Sequence, residues 1–240
     1  MNALLDRLFP TGHTVAFDGH NLAGHAESAA GRVHVIGTRD RAALTTDMAL
    51  KLSQAVLDAV RADQVSGDPR PIVFIASTQG QALSRHEELL GLNGYFAHMA
   101  RCVDLARRSG HRLVTLIHGE AVSGGFLAFG LLADRICALP DAQVKVMDLR
   151  AMARVTKIAP ERLEALAQSS PVFAPGASNY ARMGAIHALW SDSDDWPQAL
   201  QQAIAEAGGE DRRAALGRER GGRTLAQPVA ERVAGVPLDA

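Results

Sequence analysis

The chain has 240 residues, of which 47% are apolar and 21% charged, with a formal net charge of −1. That is ordinary globular composition, long enough for one large domain, and it carries no global field to attract nucleic acid or an anionic membrane. Two cysteines, Cys102 and Cys137, both in apolar segments, argue against a disulfide framework and fit a reducing cytoplasm. No signal-peptide pattern and no apolar run of ~18 residues is visible, so a soluble cytoplasmic protein is expected.

"TVAF" (14–17) and "RVHVIG" (32–37) predict two short strands, separated by a loop rich in Gly, Asn and Ser, "DGHNLAGHAESAAG". Thr46 or Asp47 can cap a helix running to about Asp63, with Met48, Leu52, Ala55, Val56 and Ala59 on one face. "SGDPRP" breaks the chain before "PIVFIAS" (71–77), a continuous apolar run of the kind found in strands buried on both faces of a parallel sheet. A polar loop, "TQGQALSR", then leads to a single long amphipathic helix from His86 to Ser109. The pattern repeats with a buried strand at 112–117, a glycine turn and an apolar helix through Leu132.

"RICALP" and "QVKVMD" predict further short strands, "APERLEALAQ" a helix with proline at its start, and "SSPVFAPGASNYARMGAIHALW" a loop, a short helix and a strand. "DDWPQALQQAIAEAG" predicts a late helix. Alternating strands and helices define an α/β fold with a mostly parallel sheet. One domain over residues 1–215 is expected, followed by a charged, partly loose tail, 216–240.

Ser123, Gly124 and Gly125 stand where a buried strand gives way to an apolar helix, and Gly80 follows the other buried strand. The first N–H groups of a helix lack intrahelical partners and lie at the positive end of its dipole. Glycines leave such groups open, so two loops side by side would form a pocket for an oxyanion. The same glycines can instead be packing devices that let helix and sheet approach, and Ser123 can be a helix cap. Other chemistries fail on their patterns. Neither a phosphate-binding lysine loop nor a dinucleotide G-x-G-x-x-G is present, and His13, His20, His25 and His34 lack metal-ligand spacing. His118 and Glu120 give half a zinc-deaminase pattern without its cysteine pair. "AVSGG" (121–125) nearly matches a hydrolase elbow, with His187 as the one downstream histidine for Ser123.

"STQGQALSRHEELLGLNGYFAHMA" (77–100), "HGEAVSGGFLAFGLLADRICALPDAQVKVMDL" (118–149) and "KIAPERLEALAQSSPVFAPGASNYARMGAIHALW" (157–190), in that order, resemble the carboxyltransferase branch of the crotonase-like superfamily. Within it they look most like the gamma subunits of biotin-independent malonate decarboxylases. The resemblance implies a crotonase-like α/β domain of repeated β-β-α units and decarboxylation of a malonyl thioester on an acyl carrier protein. It implies no metal, no biotin and no cofactor bound by this chain. A phosphoribosyl-dephospho-coenzyme A arm would be carried by the carrier-protein subunit. The implied partners are a homologous beta subunit, the carrier protein and an acyl-carrier-protein transferase (alpha) subunit.

By the same resemblance, Gly124 and Gly125 supply N–H donors, and Gly80 and Gln81 belong to the first pocket loop. Ser123 orients the turn, and Glu120 orients or caps it. Arg154 and Lys157 could meet a carboxylate or phosphate, or simply be solvated. The family's D-T-P-G-Q-A-P-G appears here as "STQGQALS", with Ser77, Gln79, Leu83 and Ser84 at the altered positions. Losing both prolines predicts a less pre-ordered loop. Alternative functions are another acyl-thioester enzyme of the same fold, such as a biotin-dependent carboxyltransferase subunit, or a non-catalytic scaffold completing a partner's site.

Overall fold

The computed structural model describes residues 1–170 and 174–235. The chain opens with α1 (Asn2–Leu8), β1 (Ala16–Asp18), β2 (Asn21–Ser28), β3 (Gly31–Thr38), β4 (Ala42–Leu44) and α2 (Thr46–Ser66). Next come β5 (Ile72–Gln81), α3 (Arg85–Leu89), α4 (Leu92–Arg108), β6 (Leu113–Val122) and α5 (Ser123–Leu127). A 3-10 turn at Gly130–Leu132 precedes β7 (Arg135–Ala138), β8 (Gln143–Lys145), α6 (Leu149–Thr156) and α7 (Pro160–Ser169). Last are α8 (Ala177–Arg182), β9 (Ala188–Leu189), α9 (Trp196–Glu206), α10 (Arg213–Glu219) and α11 (Ala226–Val233).

The sheet runs β1-β2-β3-β5-β6-β7-β9, with β4 on β5 and β8 on β6. Among the named strands of the described residues, pairing is antiparallel in β1–β2 and β2–β3, and an isolated antiparallel bridge joins His13 to Ala26. Every other pair is parallel, as the uninterrupted apolar runs of β5 and β6 predict. Both strands are longer than expected. β5 carries on through Thr78–Gln81 because β4 pairs with that stretch, Ala43 opposite Gly80 and Leu44 opposite Gln81. The segment read as a polar loop is therefore sheet. β6 likewise reaches Val122, pairing with β8 over Glu120–Val122.

Other boundaries also move. β2 occupies the segment read as a loop, because its small residues pair along their whole length with β3. The cap of α2 is Thr45, one residue earlier than expected, its side chain accepting from the Met48 N–H. The single helix expected over 86–109 is broken into α3 and α4 at Gly91, which takes a left-handed φ of 79°. α1 and α6 had no counterpart among the predicted elements. Residues 171–173, inside the predicted loop, and 236–240, inside the predicted tail, lie outside the described residues. Within 216–235 the chain holds the end of α10 and all of α11, and Arg220 donates to the carbonyls of Ala181, Ile186 and His187.

Two cores form, one on each face. Leu52, Val56, Phe74, Met99, Val103, Ile117 and Phe126 fill the face covered by α2, α4 and α5. Leu5, Leu8, Phe9, Val35, Ile75, Leu116 and Leu200 fill the face covered by α1 and α9. Among the described residues no helix is long and apolar enough to cross a membrane.

The start of β5 is held by a buried carboxylate. Asp63, at the end of α2, accepts from the Arg70 N–H at 2.8 Å and from its guanidinium, and pairs with His34 Nε2 at 3.0 Å. Burial alone would raise this carboxyl, but the Arg70 bonds and His34 hold it at about 2. Burial also holds the imidazole of His34 below its ordinary value. In both cases the unfolded chain binds more protons, so stability falls on acidification. Thermal melts should therefore lose stability below about pH 6.5 through His34, with a further loss of about 2 kcal/mol between roughly pH 4 and 2 through Asp63. Asp63→Asn should cost about 3 kcal/mol at pH 7 and flatten the lower limb; an unchanged acid profile in that variant would contradict the assignment.

Candidate active site

β5 and β6 lie side by side and parallel, so their C-terminal ends bring Gly80 and Ser123–Gly125 together. β6 ends in extended backbone at Val122 (φ −120°, ψ 138°), and the chain then turns at Ser123 with φ 48°. A left-handed residue with a Cβ costs roughly 1–2 kcal/mol, so the junction is strained at the residue that opens α5. α5 is only five residues long, shorter than the helix expected through Leu132. The ring of Phe126 fills the space where a Gly130 side chain would stand, and Thr115 Oγ1 donates to the Gly130 carbonyl at 2.8 Å, replacing the next helical turn with the 3-10 turn. So short a helix has little macrodipole, and what it offers is individual N–H groups.

The two glycines divide the roles left open by the sequence. A Cβ on Gly125 would lie 2.8 Å from the Gly80 carbonyl carbon and 2.9 Å from its oxygen. Gly125 is thus a packing residue, backbone laid on backbone. A Cβ on Gly124 would instead meet Gln81 Oε1 at 3.3 Å and the Phe96 ring at 3.6 Å. Gly124 faces side chains, and its N–H, in the first turn, has no intrahelical acceptor.

Gly80 differs from expectation. Its N–H donates to Thr78 Oγ1 at 3.0 Å, and the same hydroxyl donates to the Ala42 carbonyl at 2.7 Å. Gly80 therefore offers no free donor; with φ 104° it supplies the close approach on which Gly125 rests. Those two Thr78 bonds tie down the backbone on either side of Gln79, one of the two positions where the family's prolines are missing. Ser77 adds to this: its N–H donates to Thr38 Oγ1 at 3.1 Å, and its Oγ accepts from the Arg41 N–H at 3.2 Å.

Gln81 remains beside Gly124 with a buried Oε1 that finds no hydrogen-bond partner among the described residues. A buried acceptor without a donor is costly, and this one sits at the space between the two strand ends. Sequence reasoning passed over Thr78 and Phe96. A hydroxyl two positions before Gly80 was a signal for the first, whereas Phe96 is placed only by the packing of α4.

The remaining sequence-predicted residues lie apart from this pair of strand ends or serve the sheet. Glu120 pairs with Lys145 Nζ at 3.9 Å across β6 and β8. Arg154 and Lys157, with Arg150, line an open groove on the α6–α7 hairpin. The hydrolase arrangement is overturned. His187 Nδ1 accepts from the Ile136 N–H at 3.1 Å, and Ile136 is level with Thr115 near the start of β6. Ser123 follows the far end of that strand; Thr115 pairs with Phe74 and Ala121 with Thr78, so Ser123 stands about six strand positions along β5, roughly 20 Å away at ~3.3 Å per residue. Burial, followed by Arg135, Arg213 and Arg220, also depresses His187 to about 4.

Solved structures with this architecture place it among known proteins. Transcarboxylase 12S aligns with 85% of the chain and 39% of its own at a TM-score of 0.67 and 15% identity, a likeness of fold alone. A Pseudomonas malonate decarboxylase hetero-tetramer in complex with coenzyme A aligns with 97% of this chain and 95% of its own, at 27% identity and TM-score 0.79. The Pseudomonas MdcD–MdcE hetero-dimer aligns with 96% and 98%, at 26% identity and TM-score 0.76. The fold and its paired strand ends define a crotonase-like domain of the carboxyltransferase class. Residues 39–236 match the model of the malonate decarboxylase gamma subunit, MdcE, and the chain belongs to that family. It is also 34% identical, over 191 residues, to the malonyl-S-ACP:biotin-protein carboxyltransferase MADD of Malonomonas rubra, covering 73% of this chain and 65% of that relative's length.

The division between the glycines is directly measurable. Gly125→Ala should cost about 1–3 kcal/mol in chemical denaturation, because backbone must shift, whereas Gly124→Ala should cost under about 1 kcal/mol. Ser123→Gly should leave stability unchanged or raise it by up to about 1 kcal/mol, since φ 48° suits glycine. Equal losses for Gly124→Ala and Gly125→Ala would refute the assignment.

Proposed function

We propose that this chain supplies one wall of a site that decarboxylates a malonyl thioester on an acyl carrier protein, as the gamma subunit of a malonate decarboxylase. The observation that carries the reading is the unpartnered Gln81 Oε1 beside Gly124, 3.3 Å from where a Gly124 side chain would stand, with α5 seated by the Gly125–Gly80 contact. In the reaction the bond between the α-carbon and the carboxylate breaks and CO₂ leaves. Its electron pair passes into the thioester carbonyl, and the enolate oxygen takes the charge before the carbon accepts a proton. Backbone donors at that oxygen favour the transition state over the ground state. Gly124 is the principal donor in this scheme, with Gly125 behind it and Gln81 holding a donor of the substrate or its arm. Ser123 shapes the turn and attacks nothing.

The other wall belongs to a homologous beta subunit. Leu83 and Leu89, which follow Gln81 on the same segment, are 84% and 77% exposed, an apolar rim suited to burial against it. A phosphoribosyl-dephospho-coenzyme A arm on the carrier-protein subunit would bring the thioester, and an acyl-carrier-protein transferase (alpha) subunit would load it, in the cytoplasm and without biotin. The likeness to MADD, whose name specifies transfer to a biotin protein, supports a second reading in which the carboxyl group is passed on rather than released.

Co-purified with its beta-type partner, the chain should release CO₂ from a malonyl thioester, with avidin causing no inhibition. Gly124→Val should lower that rate about 100-fold, the usual cost of losing an oxyanion donor, in a pair that still assembles and melts normally. Undiminished turnover in Gly124→Val would place the chemistry wholly in the partner. Release that required a biotinylated protein would establish the second reading.

A further inference from the structure

A cavity of about 550 Å³ lies between the β1–β2–β3 sheet and α2, and none of its lining belongs to the glycine segments. Its walls are apolar, with Phe17, Ile36, Leu52 and Ala55 prominent. Phe17 is held at the rim by the Arg39 guanidinium, 4.9 Å above its ring. Two lining residues carry polar atoms without partners. Asn21 is only 6% exposed; its Nδ2 donates to the Met48 carbonyl at 3.2 Å, which leaves Oδ1 as a buried acceptor with no donor. His25 Nδ1 is likewise buried and unpartnered among the described residues.

Asn21 and His25 lie on one face of β2, and at ~3.3 Å per residue they stand roughly 13 Å apart. Native structures rarely leave such atoms unsatisfied without a ligand or water to complete them. Here two occur along one apolar cavity. We propose that it binds a neutral, elongated small molecule with an aromatic or aliphatic body and a hydrogen-bonding hydroxyl or amide at each end. Charge argues for neutrality. Lys51 is already engaged by Asp18 and Asp47 at 2.8 and 3.0 Å, so among the described lining residues no lysine or arginine is free for an anionic ligand, and Asp18 and Asp58 at the lining oppose one. Asp58 in turn is taken up by Gln54 and Arg61, which leaves it little capacity for a cationic ligand.

The test uses 2-(4-hydroxyphenyl)ethanol as probe, with a hydroxyl at each end of an aromatic body. Saturation-transfer NMR would follow it on the chain and on the chain paired with its beta-type partner. Saturable binding at low-millimolar Kd is expected in both. 4-Hydroxyphenylacetate and 4-ethylanisole, the latter without hydroxyls, should each bind at least tenfold more weakly. Ala55→Trp should fill the cavity and abolish saturable binding. Asn21→Leu should weaken it about three- to tenfold, with melting curves confirming that both variants fold. If Ala55→Trp fails to fold, His25→Phe replaces it, with a similar three- to tenfold loss expected. Binding that is absent, or indifferent to Asn21→Leu and to the cavity variant, overturns the proposal. So does binding to the free chain that disappears in the pair, which would make the cavity a seat for a partner side chain.

Discussion

The backbone of Gly125 lies against the backbone of Gly80, and the geometry of the candidate site follows from that contact. With glycine at both positions α5 can begin within van der Waals distance of β5. The chain must then leave β6 abruptly, which is why Ser123 is driven to a left-handed φ instead of easing into the helix. The same turn carries Gly124 past Gln81 and Phe96, between the two strand ends. A helix set back by even one methyl group would move Gly124 away from Gln81. The strain at Ser123 and the lack of side chains at Gly80, Gly124 and Gly125 are thus parts of one device.

The strands that present this device are pinned at their opposite ends by two carboxylates. Asp63 takes the backbone N–H of Arg70 as well as its guanidinium, just before β5 begins. Asp134 takes the N–H of Leu113 at 2.9 Å and the Nε of Arg107 at 2.8 Å, where β6 begins. Each carboxylate satisfies a strand-start donor and ties it to the helix packed against the sheet. From these starts the two parallel strands run in one register as far as Ala76 and Ile117, and β6 then takes up two extra residues so that Thr78 stands opposite Ala121. It is this shifted register that brings Gly80 level with the end of β6, where Gly125 follows.

Much of this was legible in the residues. The apolar runs 72–76 and 113–117 have no polar face, and buried parallel strands are what such runs form. Pro160 marked a real helix start, and "SGDPRP" marked the break after α2, although that helix runs to Ser66, past the expected end near Asp63. The juxtaposition of Gly80 with Gly124 and Gly125 followed once the two strands were taken as neighbours. What could not be read depended on tertiary partners. "TQGQ" is strand because β4 lies beside it, and the small residues of β2 are strand because β3 pairs with all of them. Local composition holds no trace of either partner. The difference in role between two adjacent glycines was equally hidden, since it rests on whether backbone or side chain stands opposite each one.

At the altered positions Ser77 and Gln79 the segment is held by side-chain hydrogen bonds in place of proline's restriction of the chain. Proline orders a segment by limiting the unfolded chain and removes a donor in doing so. Here residue 79 has its N–H, and order comes from enthalpy: Thr78 Oγ1 ties Gly80 to β4, and Ser77 ties the strand to Thr38 and Arg41. Among the described side-chain atoms of that arrangement, Gln81 Oε1 is buried without a partner. It lies where the bonded network stops, beside Gly124 and ahead of exposed Leu83 and Leu89. An acceptor without a donor thus adjoins an exposed apolar rim. On the proposed reading, substrate completes the first and the beta subunit covers the second.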